Sequence, residues 1–237
     1  MHPINPAGLA AFDLETTGVD PTTARIVSAS VVRLHGGQPA QRADWLADPG
    51  IEIPDSAAAV HGITTAHARA HGRPHDVVVA EIVDALRQSW ALGYTVVVYN
   101  AAYDLRILAT QHPGFTIDGP VFDPLVVDRA KVRYRPGKRT LEKVAAAYGV
   151  ALSDAHDAYA DAQAAGQIAH AMLTGELGYL AASDPVALMH DQREWSYDFQ
   201  TNMRSWLQSK GRDTSTFTID EWPIDDAPSS PAFQRTG

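Results

Sequence analysis

Leu9 to Leu14 reads LAAFDL, an apolar run interrupted by one acid, and a second acid, Glu15, follows at once. Alternate residues of a β-strand project to the same side. On a strand, Phe12 and Leu14 therefore turn towards a core while Asp13 and Glu15 leave together from the opposite face. Two carboxylates placed so close repel, and one of them should hold its proton more tightly than usual. A divalent cation removes that penalty, and hard ions such as Mg²⁺ favour carboxylate oxygens. The TTG that follows turns the chain away and leaves the pair at the strand's end. On these residues alone a merely solvated D-x-E strand stays open.

The rest of the chain supplies a sheet for that strand. RIVSASVVRLH (Arg25 to His35), rich in β-branched residues, predicts a second strand, and QRADWLADP (Gln41 to Pro49) a third, joined through HGG. PHDVVVAEIVDALRQSW has apolar residues at helical spacing behind Pro74. YTVVVYN (Tyr94 to Asn100) is a short buried strand, followed by a helix from about Ala102 to Gln111. PVFDPLVVDRAKV runs from strand into helix at Pro124, TLEKVAAAYGV is a helix closed by Gly149, and HDAYADAQAAGQIAHAMLTGEL is an alanine-rich helix. Three strands, then alternating helices and strands, predict an α/β fold with a mixed sheet covered by helices.

Residues 1–182 are expected to form this domain, and residues 183–237 a helical C-terminal extension. Its long amphipathic helix carries Trp195, Phe199, Met203 and Trp206 near one face, a stripe that packs on the parent domain or docks a partner. The closing DEWPIDDAPSSPAFQRTG is acidic and rich in proline and serine, a composition that predicts no packed structure.

The net charge of −9 argues against a protein that coats nucleic acid by general electrostatics. Yet Arg129 to Lys143 holds seven basic residues against one acid, and this local +6 leaves −15 for the remainder. Most charge runs are solvated loops; this one gains interest only beside a polyanion site. No cysteine is present, which excludes disulfides and thiolate metal sites. MHPINPAG has neither a basic nor an apolar segment, and no apolar run approaches the ~18 residues that span a bilayer. A cytoplasmic protein without membrane contact is the expectation.

Two further segments join the first pair of acids. VVVYNAAYD places Asn100 after a buried strand and Asp104 at the entry to a helix. HDAYAD places His156 five residues before Asp161. Five helical residues turn about 500°, which would leave the two side chains roughly 140° apart. His156 must then stand on the loop before the helix, with Asp157 as candidate N-cap and Asp161 just inside. From there a histidine can lean over a metal held by Asp161.

FDLETTG, NAAYD and HDAYADA, in this order, resemble the three motifs of the DEDDh 3′–5′ exonucleases, the DnaQ-like group of the ribonuclease H-like fold. VHGIT (Val60 to Thr64) and RTLEKVAAAYGV are similar to family segments as well, and the resemblance covers roughly residues 7 to 175. The related tyrosine subgroup has a tyrosine four residues before the last acid; Asp157 stands there, so the histidine subgroup fits. Tyr103 occupies a position where phenylalanine is usual.

The resemblance implies a ribonuclease H-like mixed sheet flanked by helices. It also implies two Mg²⁺ or Mn²⁺ ions, roughly 4 Å apart, held by Asp13, Glu15, Asp104 and Asp161. His156 would be the general base, histidine being the side-chain type suited to proton transfer near neutral pH. The product would be a nucleoside 5′-monophosphate from a free 3′ end. Single-stranded DNA is the expected polymer, in proofreading or repair, with a replication or repair protein as a partner of the C-terminal extension. RNA trimming, or a non-catalytic end-binding or scaffold module, is the alternative.

Lesser residues divide between function and structure. Leu14, Thr16 and Thr17 are candidates to touch the terminal nucleotide, or simply form the turn. His61 would lie against that nucleotide with Ile63 as a wedge beside its base, or be a turn histidine with a local hydrogen bond. Tyr103 is a candidate for base stacking, and Asn100 for a backbone bond near the site or a helix cap. Arg133, Arg135 and Lys138 become candidates for tracking phosphates once a nuclease site is in view. His67, His71 and His75 recur every four residues, but Gly72 and Pro74 keep them off one helical face, so no zinc site is expected.

Overall fold

The structure is a computed structural model that describes residues 4–153 and 155–224. It opens with β1 (Gly8–Thr16), β2 (Ile26–His35) and β3 (Gln38–Asp48), then α1 (Asp55–His61) and α2 (Thr65–His71). β4 (Arg73–Pro74), α3 (His75–Ala91), β5 (Thr95–Val97) and α4 (Ala101–Gln111) follow. β6 (Val121–Phe122), α5 (Pro124–Lys131), α6 (Leu141–Ala147), α7 (Ala158–Thr174), a 3₁₀ turn (Gly178–Ala182) and α8 (Pro185–Ser209) complete it.

The strands form one mixed sheet in the order β4-β3-β2-β1-β5-β6. β1, β2 and β3 make an antiparallel meander, and β5 lies parallel to β1 on its other side. This is the mixed, helix-covered sheet the sequence predicts. The third strand starts at Gln38 rather than Gln41, because pairing with His35 begins directly at the turn. The central strand is shorter than Tyr94 to Asn100, since the chain reverses at Asn100 into left-handed backbone (φ 68°). α1 and α2 were not foreseen: DSAAAVH and TAHARAH are too short to show helical periodicity.

Both faces of β1 are covered. Ala10, Phe12 and Leu14 pack with Val79, Ile82 and Leu86 of α3 and with Leu105 and Leu108 of α4. Leu9 and Ala11 pack on the other face with Ala165, Ile168 and Ala169 of α7. Fully burying a side chain such as Phe12 contributes roughly 1.5–3 kcal/mol. Asp13 and Glu15 continue the face that α7 covers. α7 comes very close: a Cβ at Gly166 would lie 2.6 Å from Leu34 and 3.0 Å from Ala11. Its glycine and alanines thus let the helix carrying Asp161 settle against β1 and β2.

The C-terminal residues depart from expectation. Of the segment read as an unpacked tail, residues 225–237 lie outside the described residues, whereas Trp222, Pro223 and Ile224 are buried. Trp222 is 1% exposed and Ile224 3%, and both belong to the core shared by α3 and α4. The expectation rested on the acidic, proline-rich composition, which hid one large apolar anchor. Along α8, Trp195 packs under the Lys131 ammonium and Phe199 under the Arg129 guanidinium, while Trp206 is exposed. Among the described residues, no helix is long and apolar enough to cross a membrane.

Candidate active site

The site lies where the parallel strands β1 and β5 end, a place where open α/β sheets gather ligands. β1 delivers Asp13 and Glu15. β5 runs into Asn100, whose reversal starts α4 and puts Asp104 in its first turn. Asp104 is 4% exposed, and its carboxylate faces the Leu14 N–H of β1. From the far face α7 contributes Asp161, also in its first turn. Asp157 caps that helix, accepting from the N–H groups of Tyr159 and Ala160, as the spacing predicts. His156 stands on the preceding loop with positive φ (69°), and its N–H bonds to Asp161 Oδ2 at 3.2 Å. Among the described residues, Asn100 and His156 alone combine positive φ with a side chain. Such conformations concentrate where function constrains the backbone.

Ligand atoms of Glu15, His156 and Asp161 lie within 4.8 Å of one another. Asp13 and Asp104 stand outside that trio but inside its field. All four acids hold protons more tightly than usual. Glu15 rises from its ordinary 4.5 to about 8, through burial first and then through Asp161 and Asp104. Asp13 keeps part of its surface exposed, yet burial of its carboxyl is the main cause of its upward shift, ahead of Asp104, Asp161 and Glu15. Burial likewise raises Asp104 and Asp161, each opposed by hydrogen bonds to the carboxylate. Asp161 Oδ1 is buried without a hydrogen-bond partner. Repelling hard oxygens with an unsatisfied acceptor among them form a donor set that suits a divalent cation of the Mg²⁺ class.

Beside the acids opens a cleft of about 660 Å³. Leu14, Thr16, Thr17, His61, Asn100 and Tyr103 line it, as does Glu15. The Tyr103 hydroxyl donates to the Gly18 carbonyl and meets Thr16 Oγ1 at 2.9 Å, which pins the turn after β1. Thr17 Oγ1 accepts from the Arg25 N–H, so its hydroxyl also serves the turn. His61 Nδ1 accepts from the Ile63 N–H at 3.1 Å, while its buried Nε2 faces the Thr16 backbone without completing a bond. Burial pushes His61 down, and a charged His156 would push it further. Ile63 is not in the cleft; it packs against Val27, Ile53 and Ala68.

The basic stretch separates into two groups. Arg135 and Arg139 pair with Asp128, which is fully buried, at 2.7 and 3.3 Å. Arg133 and Lys138 are exposed and flank Tyr134, which is 98% exposed. The base of this loop reaches the site's edge through Tyr99, whose hydroxyl donates to the Arg139 carbonyl at 2.8 Å. The rings of His67 and His71 meet at a tilt of 47°, and His75 bonds to Arg25, so these three do not form a ligand group among the described residues.

Sequence reading missed two sets of residues. Val19 (90% exposed) and Val60 (51%) give the cleft an apolar rim; Val19 stands alone between Gly18 and Asp20, and Val60 closes the run Ala57 to Ala59, without a pattern that marks either as a site residue. Asp123, 1% exposed, organises the strand ends, and only its place before Pro124 marked it as a helix cap.

A ribonuclease H-like sheet with these acids at its strand ends defines a class, and the chain belongs to the DnaQ-like exonuclease family, matching it over residues 10–169. It is similar to the DNA polymerase III PolC-type of Lacticaseibacillus paracasei, 27% identical over 169 residues, 70% of this chain and 11% of that one. It is also similar to a DNA polymerase III subunit epsilon-like protein of Rhodobacter capsulatus, 32% identical over 130 residues, 53% of this chain and 18% of that one. The chain thus spans a small part of these relatives. Among solved structures, one of exonuclease I matches with TM-score 0.64 at 21% identity over 79% of this chain and 44% of the other. That of E. coli exonuclease I with a dA16 oligonucleotide matches with TM-score 0.62 at 22% identity, over 74% and 42%. These likenesses support the fold.

Proposed function

We propose that the protein is a metal-dependent 3′–5′ exonuclease that releases nucleoside 5′-monophosphates, with single-stranded DNA as its polymer and proofreading or repair as its setting. The observation that carries the proposal is the convergence of Asp13, Glu15, Asp104 and Asp161, all with raised carboxyls, beside a cleft of nucleotide size. DNA is favoured because the relatives are DNA polymerase III chains and one structural neighbour was solved with a dA16 oligonucleotide.

Two divalent ions, Mg²⁺ or Mn²⁺, held by the four acids would supply charge stabilisation at the phosphodiester and a water of lowered pKa. The chain's own residues do the rest. His156 accepts a proton from the attacking water as its oxygen bonds to phosphorus. The bond from phosphorus to the 3′ oxygen breaks, and that oxygen stays on the shortened strand, taking a proton from solvent to become its new 3′ hydroxyl. Only neutral imidazole can perform this role. Val19 and Val60 exclude water from the terminal base, while Thr16 and Asn100 face its sugar and phosphate. His156 also lies within ligand distance of Glu15 and Asp161, which favours a second reading in which it binds metal.

Upstream of the cleft, Arg133 and Lys138 would hold phosphates and Tyr134 would stack a base, as single-strand binders combine cations with aromatic rings. Arg135, bonded to Asp128, is left out of that role. The C-terminal end of α8, where Trp206 of the Trp195 stripe stands exposed, is the face we assign to a replication or repair partner, on the strength of the polymerase relatives.

The test is product identity. Single-stranded DNA, duplex DNA and RNA are each incubated with Mg²⁺ or Mn²⁺, with and without EDTA, and the products separated by chromatography. Deoxynucleoside 5′-monophosphates from single-stranded DNA, abolished by EDTA, are expected. Faster release from RNA would establish the trimming reading, and binding of ends without release would establish the non-catalytic one.

A further inference from the structure

We propose that Gln192 and Trp222 are positioning residues: acting through Asp123, they set where α4 presents Asp104. The inference rests on the reading of Asp104 as a metal-holding acid. Asn100 stands at the N-cap of α4, but its side chain makes no cap bond. The first N–H groups of a helix need partners from elsewhere. Asp123 supplies them across the sheet, its Oδ1 accepting from the Asn100 N–H at 3.1 Å and its Oδ2 from the Ala101 N–H at 2.8 Å. The same carboxylate caps α5, accepting from the N–H groups of Leu125 and Val126 at 2.9 and 3.2 Å. One buried group therefore fixes two helix starts relative to each other, three residues before Asp104.

Asp123 is held in turn from the C-terminal segment. The Trp222 indole N–H donates to Oδ2 at 3.2 Å, and Gln192 accepts the Asp123 N–H at 2.8 Å while donating to the Val121 carbonyl at 3.0 Å. Gln192 is fully buried and Trp222 almost so. A second tie meets α4 one turn on, where Arg106 pairs with Asp220 at 2.8 Å. Gln200 and Arg193 of α8 bind Asp220 and the Trp222 carbonyl, closing the segment against the domain. The charge of Asp123 is also felt at Asp104, whose carboxyl it helps to raise. None of these C-terminal groups reaches the cleft, so their effect on chemistry passes through α4.

The experiment compares Trp222→Phe and Trp222→Ala with Leu180→Ala, a core truncation in the 3₁₀ turn that packs in the core on the other side of the sheet from α4. Hydrogen exchange of peptides spanning Asn100 to Asp104 is read without metal, and kcat and KM for single-stranded DNA are read well below each melting temperature. Trp222→Phe keeps an apolar ring but loses the N–H donor. It should speed exchange over these residues and lower kcat about tenfold, the usual effect of removing a group that holds a ligand in place. KM should stay unchanged, and Trp222→Ala should go further in the same direction. Leu180→Ala should lose stability yet keep wild-type exchange at these residues and wild-type kcat. Wild-type exchange and kcat in Trp222→Phe would overturn the proposal, as would equal losses of both in Leu180→Ala. If the wild type cleaves no nucleic acid, the nuclease reading fails, and the exchange comparison still decides the positioning role.

Discussion

Glu15 couples folding to pH. Unfolded, it releases its proton near 4.5; folded, it keeps it to about 8. Between those values the folded state binds more protons than the unfolded one, so stability is greatest below the window and falls as pH rises through it. In EDTA the melting temperature should therefore decline from pH 5 to 8, and Glu15→Gln should flatten the decline. Identical slopes in the two proteins would remove Glu15 from the cluster. Added Mn²⁺ should reverse the trend, because protons and metal compete for the same oxygens. His156 is separable from the acids: His156→Ala should lose roughly 10²–10⁴-fold in rate, the usual share of a positioned base, and keep the stabilisation by Mn²⁺. Loss of that stabilisation would make it a ligand. The pairing of Asp13 with Glu15, and of His156 with Asp161, was legible because strand and helix periodicities are local. The role of Asp123 was not, since its partners lie 22 and 99 residues away.

Among the elements, β1, β2 and α7 were legible from alternation and helical spacing, and their boundaries moved little. α1 and α2, seven residues each, were not, since a two-turn helix carries no period to count. The loop between α5 and α6 shows how composition misleads: Arg129 to Lys143 reads as one basic patch, but the fold turns Arg135 and Arg139 inward onto Asp128. Its two halves should respond differently. Arg133→Ala with Lys138→Ala should weaken binding of single-stranded DNA and reduce its salt dependence, leaving the melting temperature near wild type. Arg135→Ala should instead destabilise by about 1–3 kcal/mol, as a buried carboxylate loses a bonded partner, with little change in the salt slope. Urea unfolding beside a salt titration separates the two, and a reversal of the pattern would return Arg135 to the substrate path.

At the scale of the whole molecule, the mixed sheet brings segments from the start, middle and end of the chain to the ends of β1 and β5. The order of the three motifs predicted that convergence. What the sequence did not disclose is that Trp222 and Ile224 return to the core, because one tryptophan among acids and prolines has no periodicity to reveal its burial. The central claim is that this convergence removes nucleotides one at a time from a 3′ end. The most direct measurement is a time course with Mn²⁺ on a single-stranded DNA labelled at its 5′ end, beside a circular single strand of the same sequence. The account predicts a ladder that shortens by single nucleotides, stops with EDTA and leaves the circle intact. Cleavage of the circle at a comparable rate, or immediate release of the 5′ label as a mononucleotide, would contradict it.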